Sequence, residues 1–124
     1  MKSLFFGLIL GASMTEAVSP AISVDYLYKV ISLQNWEASQ SQPFIKLTGD
    51  DLDFIHFSTQ DQLKRITGKY WSDVAKYIIL KVDMKQVPGK LVYEANPGGT
   101  NKYYHLYDGC IPSNAIVETT LVRQ

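Results

Sequence analysis

The sequence predicts an α+β domain with a small mixed or antiparallel sheet and one or two short helices. Segments rich in Val, Ile, Tyr and Phe, which favour strands, recur along most of the chain. Helical patterns occur only in its first half, so strands and helices do not alternate as they do in a doubly wound α/β fold. Because the 124 residues contain no repeat and no interdomain linker, we expect one domain.

The first predicted strand covers residues 26–32, where side chains alternate between two faces. Residues 33–38 follow as a short helix anchored by Trp36. A polar stretch and a turn cluster at residues 48–51 then separate this helix from a second strand at residues 54–57.

The clearest helical pattern begins at Thr59. Thr59 and Gln62 fit a capping box, and apolar residues recur on one face at Leu63, Ile66, Tyr70 and Val74. Because glycine is a poor helix former, we expect the helix to stop or kink at Gly68.

The second half is predicted to contain only strands. They cover residues 77–83, 91–95, 103–107 and 115–122. Residues 96–101 contain Asn, Pro and Gly, which favour a loop, so the strands on either side are expected to form an antiparallel hairpin.

Residues 1–17 have the pattern of a secretory signal peptide: Lys2 precedes an apolar run at residues 4–12, and small residues follow. Cleavage is expected after Ala17, or alternatively after Ala21, and residues 22–124 form the predicted domain. The nine apolar residues are too few to span a bilayer, which needs roughly 20. The protein is therefore expected to be exported, to the periplasm or beyond. The alternative is an N-terminal strand or helix that packs on the domain.

Charge and cysteine content exclude some classes of function. Twelve basic residues balance twelve acidic ones, so nucleic-acid binding by bulk electrostatics is not expected. Cys110 is the sole cysteine, which rules out an intrachain disulfide. Two isolated histidines and one cysteine lack the paired spacing of a zinc site, so no metal is predicted.

The two histidines each lie in an aromatic, strand-forming segment. In the first segment His56 and Ser58 share a face, and Thr59 begins a helix whose free amides favour anions. These residues could hold a phosphate or a carboxylate. The alternative is that Thr59 only caps its helix and that His56 bonds a carbonyl in the core.

In the second segment His105 shares a face with Tyr103 and Tyr107, which predicts either a ring-stacking pocket wall or an ordinary packed sheet surface. Glu94, on the preceding strand, is a candidate base or ribose-hydroxyl acceptor. The alternative for Glu94 is an exposed strand position.

Six segments in order resemble the small bacterial family of domain of unknown function 952, over about residues 26–122. They are residues 27–30, Trp36, residues 53–58 with Gln62 and Thr67, residues 79–83, residues 91–94 and residues 105–107. The resemblance implies a fold similar to the ADP-ribosyltransferase superfamily, without an assigned activity. Residues 56–58, 79–83 and 111–112 also resemble RNA 2′-phosphotransferases, which use NAD.

By this resemblance, a nucleotide-binding cleft would be lined by His56 and Ser58, with His105 and Tyr107 opposite. Tyr28 and Lys29 stand where such transferases usually carry an Arg or His. Glu94 would correspond to their late acidic residue, and NAD or ADP-ribose would be the cofactor. The predicted catalytic residues are therefore His56, Glu94 and His105. The predicted ligand-binding residues are Tyr28, Lys29, His56, Ser58, Thr59, His105 and Tyr107.

The function expected from these features is binding of a nucleotide-like or other anionic small molecule. Two alternatives stay open at this point. One is a non-catalytic interaction module with structural histidines, and the other is a secreted effector that transfers ADP-ribose.

Overall fold

The computed structural model describes residues 24–124. They contain six strands and two α-helices, which confirms the α+β prediction. In chain order the elements are β1 (Tyr26–Ser32), α1 (Leu33–Ser39), β2 (Ile55–Phe57), α2 (Leu63–Tyr70), β3 (Lys76–Asp83), β4 (Lys90–Ala95), β5 (Lys102–Tyr107) and β6 (Ile116–Arg123). The predicted signal peptide lies outside the described residues.

The strands form two antiparallel sheets of three strands each, where the sequence had predicted one. The first has the order β1, β3, β6, and the second has the order β2, β5, β4. The predicted hairpin of β4 and β5 is confirmed, with Val92 opposite His105. The sheets meet where Tyr28 and Ser58 exchange two backbone hydrogen bonds, of 2.7 and 2.9 Å. This isolated bridge holds the start of β1 against the end of β2.

The helix predicted from Thr59 begins as a 3₁₀ turn, Gln60–Gln62, and becomes α-helical at Leu63. The side-chain oxygen of Gln62 accepts the Thr59 amide at 3.0 Å, which is one half of the predicted capping box. The expected stop or kink at Gly68 was wrong, since α2 ends two residues later at Tyr70. A glycine costs only about 1 kcal/mol within a helix, too little to end it there. Val74 lies beyond the helix, contrary to the predicted apolar face.

The core is mainly aliphatic, and most of its buried side chains come from β1, β2 and β3. Its fully buried members include Leu27, Phe57, Leu80, Val82 and Ile111. One charged residue shares the inward face of β1 with Leu27 and Ile31: Lys29 is only 4% exposed. A charge in that position needs a partner, because burying an unpaired ion is costly.

Within residues 24–124, the helices are too short or too polar for any of them to cross a membrane.

Candidate functional site

A cleft of about 700 Å³ opens beside the bridge between the two sheets. Its polar lining includes Lys29, Asp51, His56, Ser58 and Asn96. An apolar wall comes from the segment around α2 and includes Ile66, Trp71 and Val74. A cleft with a few polar groups on an otherwise apolar wall is the usual form of a small-molecule site.

Lys29, Asp51 and His56 form one hydrogen-bonded cluster in the wall of this cleft. The Lys29 ammonium donates to Asp51 Oδ1 at 2.6 Å and to the His56 carbonyl at 2.8 Å. The same carboxylate oxygen accepts the His56 backbone amide at 2.9 Å and lies 3.1 Å from His56 Nδ1. Asp51 therefore ties the 3₁₀ turn Gly49–Leu52 to β1 and β2.

This cluster shifts the protonation equilibria of both charged partners. Burial alone would raise the pKa of Asp51, but the His56 ring, the Lys29 charge and the His56 amide together lower that pKa to about 2. Burial lowers the pKa of Lys29, and the neighbouring Asp51 charge opposes that shift. Asp51 is thus a carboxylate at neutral pH and acts only as an acceptor.

The carboxylate of Asp51 determines which nitrogen of neutral His56 carries the hydrogen. Because Asp51 can only accept, Nδ1 of His56 must donate, and Nε2 of the neutral ring is then an acceptor. Among the residues that the structure describes, Nε2 has no hydrogen-bond partner, and the side chain is 31% exposed. The arrangement resembles the orienting half of an acid–base pair, in which a carboxylate holds an imidazole by one nitrogen.

His105 lies in a different environment, although it is directly opposite His56 in the register of β2 and β5. Its side chain is completely buried. Nδ1 lies 2.8 Å from Glu94 Oε2, and Nε2 lies 2.7 Å from Asn96 Oδ1. The Tyr107 hydroxyl also donates to Glu94 Oε2. Both ring nitrogens of His105 are therefore occupied by protein groups.

The network around Glu94 shifts two further pKa values. The hydrogen bond from Tyr107, and then the one from His105, lowers the pKa of Glu94. Glu94 in turn raises the pKa of Tyr107, because ionising the phenol would lose that bond and place two negative charges side by side.

Phe54 packs against both histidines. Its ring centroid lies 4.8 Å from that of His56 and 4.3 Å from that of His105. The two imidazoles themselves are 5.1 Å apart and meet edge to face. These ring contacts connect the cleft cluster to the buried network.

The residues predicted from the sequence divide into two groups. Lys29, His56 and Ser58 line the cleft. Tyr28, Thr59, Glu94, His105 and Tyr107 are not among its lining residues.

The amides of Ser58 and Thr59, at the start of the predicted anion site, already have protein acceptors. The Ser58 amide donates to the Tyr28 carbonyl at 2.9 Å. The Thr59 amide donates to the side chain of Gln62 at 3.0 Å. An anion at this position would need other donors.

Three residues that shape the site were not predicted: Asp51, Phe54 and Asn96. Asp51 appears in the sequence as part of a turn cluster, with two similar carboxylates nearby, and nothing marks it as the partner of Lys29. Asn96 appears as ordinary loop chemistry. The one available signal was Lys29 itself, because a lysine on the inward face of a strand requires a buried acceptor.

The described part of the chain brings no three His, Cys, Asp or Glu side chains together in a way that could hold a metal ion. Cys110 is a free, half-buried thiol.

Comparison with known proteins identifies a family but no activity. The sequence profile described as "Protein of unknown function (DUF952)" matches residues 30–119. The crystal structure of protein CC0527 from Caulobacter crescentus is 26% identical, over 77% of this chain and 83% of that chain, with a TM-score of 0.65. The solution NMR structure of CC0527 is 25% identical, over 77% and 82% of the two chains, with a TM-score of 0.62. No protein of curated function matches.

Proposed function

Because this chain belongs to the DUF952 family, whose function is unknown, we propose a function from the chain's own cleft: it binds a small, partly apolar molecule. In this proposal His56 accepts a hydrogen bond or a proton from the bound molecule. The observation that carries the proposal is the His56 imidazole of the cleft lining: Asp51 holds it at Nδ1, and Nε2 has no hydrogen-bond partner among residues 24–124.

The proton transfer assigned to this site is simple. An acidic X–H group of the ligand gives its proton to His56 Nε2, so the imidazole becomes a cation and the ligand carries the electron pair. The Asp51 carboxylate stabilises that cation through Nδ1–H. Lys29 contacts Asp51 and the His56 backbone, so it acts as a positioning residue.

The charges of the cleft favour a neutral or cationic ligand. Three carboxylates line it, those of Asp50, Asp51 and Asp53, against the single ammonium of Lys29, which already bonds Asp51. A pyrophosphate would enter against this negative field. The charge of the cleft therefore disfavours the nucleotide-like or anionic ligand that was expected from the sequence.

The test is an NMR titration of the full chain with a library of small ring compounds that are neutral, cationic or anionic. We expect neutral or cationic members to shift the amide signals of cleft residues, and we expect His56→Gln to abolish those shifts. The control is Asn101→Gln, a change at an exposed position of the loop between β4 and β5 that is not among the lining residues, and it should retain binding. If no compound shifts cleft signals, or if the shifts persist in His56→Gln, the proposal is wrong.

Two narrower hypotheses came from the family resemblance, a nucleotide ligand and transfer of ADP-ribose, and each has its own test. Binding of NAD or ADP-ribose in the cleft would support a nucleotide ligand. Transfer of label from tagged NAD to other proteins would be needed for an ADP-ribosylating effector, in which Glu94 would stabilise charge on the ribose.

The second candidate function is a non-catalytic interaction module. The sealed environment of His105 favours it, because an imidazole with both nitrogens bonded and no exposure has the features of a structural group. This candidate predicts that replacing either histidine changes stability and leaves small-molecule binding unaffected.

We also propose that the N-terminal segment directs export and is then removed. Cleavage follows Ala17 or, in the alternative form of this proposal, Ala21. The mass and N-terminal sequence of the protein recovered from its native cell envelope test this. A mature chain that begins at residue 18 or 22 is expected, and an intact Met1 would contradict export by this route.

A further inference from the structure

The Asn96 side chain lies between the buried network and the cleft. It follows the last residue of β4, at the start of the loop that leads to β5, and it belongs to the cleft lining. Its oxygen, Oδ1, lies 2.7 Å from His105 Nε2. Of the two polar atoms in its side chain, only the amide nitrogen Nδ2 is then left for the cleft.

The structure places the oxygen of this amide against the ring of His105. Asn96 Oδ1 faces Nε2 on one side of the ring, and Glu94 Oε2 faces Nδ1 on the other. The NH₂ group is therefore the half of the Asn96 amide that does not face His105.

This placement determines what Asn96 offers the cleft. Nδ2 is a donor, and it has no acceptor among residues 24–124. His56 Nε2, which also has no partner within the described part of the chain, is an acceptor in the neutral ring. His56 and His105 are in ring contact, at 5.1 Å between centroids, so the donor and the acceptor belong to the same part of the cleft.

We propose that Asn96 is the specificity-determining residue of the cleft, and that the ligand carries a neutral carbonyl oxygen beside a hydrogen-bond donor, as in a planar primary amide or lactam. Asn96 Nδ2 donates to the carbonyl, and His56 Nε2 accepts from the neighbouring N–H. This inference rests on the proposed function, and it names the class of ligand. A site built to satisfy both groups discriminates against ligands that leave one unpaired.

The test uses three probes of the same shape: benzamide, benzamidine and benzoate. Benzamide offers one acceptor and one donor group, benzamidinium offers only donors, and benzoate offers only acceptors. Asn96→Asp keeps an oxygen for His105 and exchanges the donor for a carboxylate. The charge-matched control is Asn101→Asp, because Asn101 is exposed in the same loop and is not among the lining residues.

Dissociation constants are measured calorimetrically on the full chain. We expect wild type to prefer benzamide to benzoate. In Asn96→Asp we expect the dissociation constant of benzamide, divided by that of benzamidine, to rise about tenfold or more. Benzamide loses the donor to its carbonyl oxygen, and benzamidinium gains a carboxylate with which it can pair. Asn101→Asp should leave that ratio within about twofold of wild type, since an exposed and screened charge acts weakly on both probes.

An unchanged ratio in Asn96→Asp would overturn the role of Asn96, even where both probes bind. If Asn96→Asp does not fold, Asn96→Ala decides: benzamide binding should weaken several-fold while benzamidine binding is maintained, and equal loss of both overturns the inference. If benzamide does not bind wild type, the ligand class is wrong. The NMR library titration with His56→Gln then still decides the proposed function separately.

Discussion

His56 and His105 lie opposite each other on paired strands and share a contact with Phe54, yet they differ in exposure and in what Nε2 contacts. The His56 side chain is 31% exposed and bonds a carboxylate through one nitrogen. The His105 side chain is fully buried and bonds protein groups through both nitrogens. Neighbouring imidazoles in one sheet can therefore differ in role, since the partners of their nitrogens decide whether either can meet a ligand.

The largest effect is expected at Asp51, which supports the His56 side of the comparison. Asp51→Ala leaves the Lys29 ammonium, 5% exposed, without its carboxylate. We expect the free energy of unfolding to fall by about 3–5 kcal/mol, the usual cost of breaking a buried ion pair from one side. Urea denaturation measures this loss.

The matched control for this variant is Asp50→Ala, an exposed carboxylate in the same turn, which should stay within about 0.5 kcal/mol of wild type. The double variant Lys29→Met, Asp51→Leu removes both charges and should recover most of the loss. If Asp51→Ala is as stable as Asp50→Ala, the buried cluster does not support the fold.

Replacing each histidine by glutamine tests the comparison directly. His105→Gln leaves at least one buried polar group of the Glu94 and Asn96 network unsatisfied, so we expect a loss of about 1–3 kcal/mol. His56→Gln should cost less than about 1 kcal/mol, because the site is partly exposed and Asp51 keeps its bonds to the Lys29 ammonium and to the backbone amide of residue 56. Thermal and urea unfolding of both variants provide the measurement, and equal losses would contradict the assigned difference.

Acid should weaken the fold through Asp51. Its pKa is about 2 in the folded protein against 3.8 for an ordinary aspartate, so its contribution is fully present above about pH 4. That contribution is lost as the pH falls toward 2, and the difference of about 1.8 units corresponds to about 2 kcal/mol. Urea denaturation between about pH 5 and about pH 2 should show a smaller decline in Asp51→Asn, and equal declines would remove Asp51 as the cause.

The smallest expected effect is a change in the pKa of Glu94, the carboxylate that contacts His105. The Tyr107 hydroxyl is the main cause of the lowered pKa of Glu94. In Tyr107→Phe we expect that pKa to rise toward its ordinary value, as followed by NMR titration of the Glu94 side-chain carboxyl. Tyr104→Phe, on the opposite face of β5, is the control and should leave the Glu94 pKa unchanged.

Local patterns predicted much of the fold. The alternation in residues 26–32 matched β1 residue for residue, and the turn chemistry of residues 96–101 placed the β4–β5 hairpin correctly. The division into two sheets was not predicted. The sheets meet at the isolated Tyr28–Ser58 bridge, and side-chain periodicity does not encode which distant strands pair.

Less of the site than of the fold could be predicted from the sequence. Period-two alternation placed His56 with Ser58 on one face, but it says nothing about which distant loop supplies a partner. Asp51 reaches Lys29 across 22 positions of the sequence. The Asn96 contact with His105 likewise follows from the path of the hairpin loop, and loop paths are set by tertiary packing.

The most direct test of the account is the reaction of each histidine with diethyl pyrocarbonate, which acylates an unprotonated imidazole nitrogen that solvent can reach. Peptide mass spectrometry of the folded full chain over a time course gives the rate at each ring. We expect His56 to be modified and His105 to remain unmodified until the protein is unfolded. Protection of His56, or equal rates at the two rings, would contradict the claim that one imidazole is open to the cleft and the other is sealed.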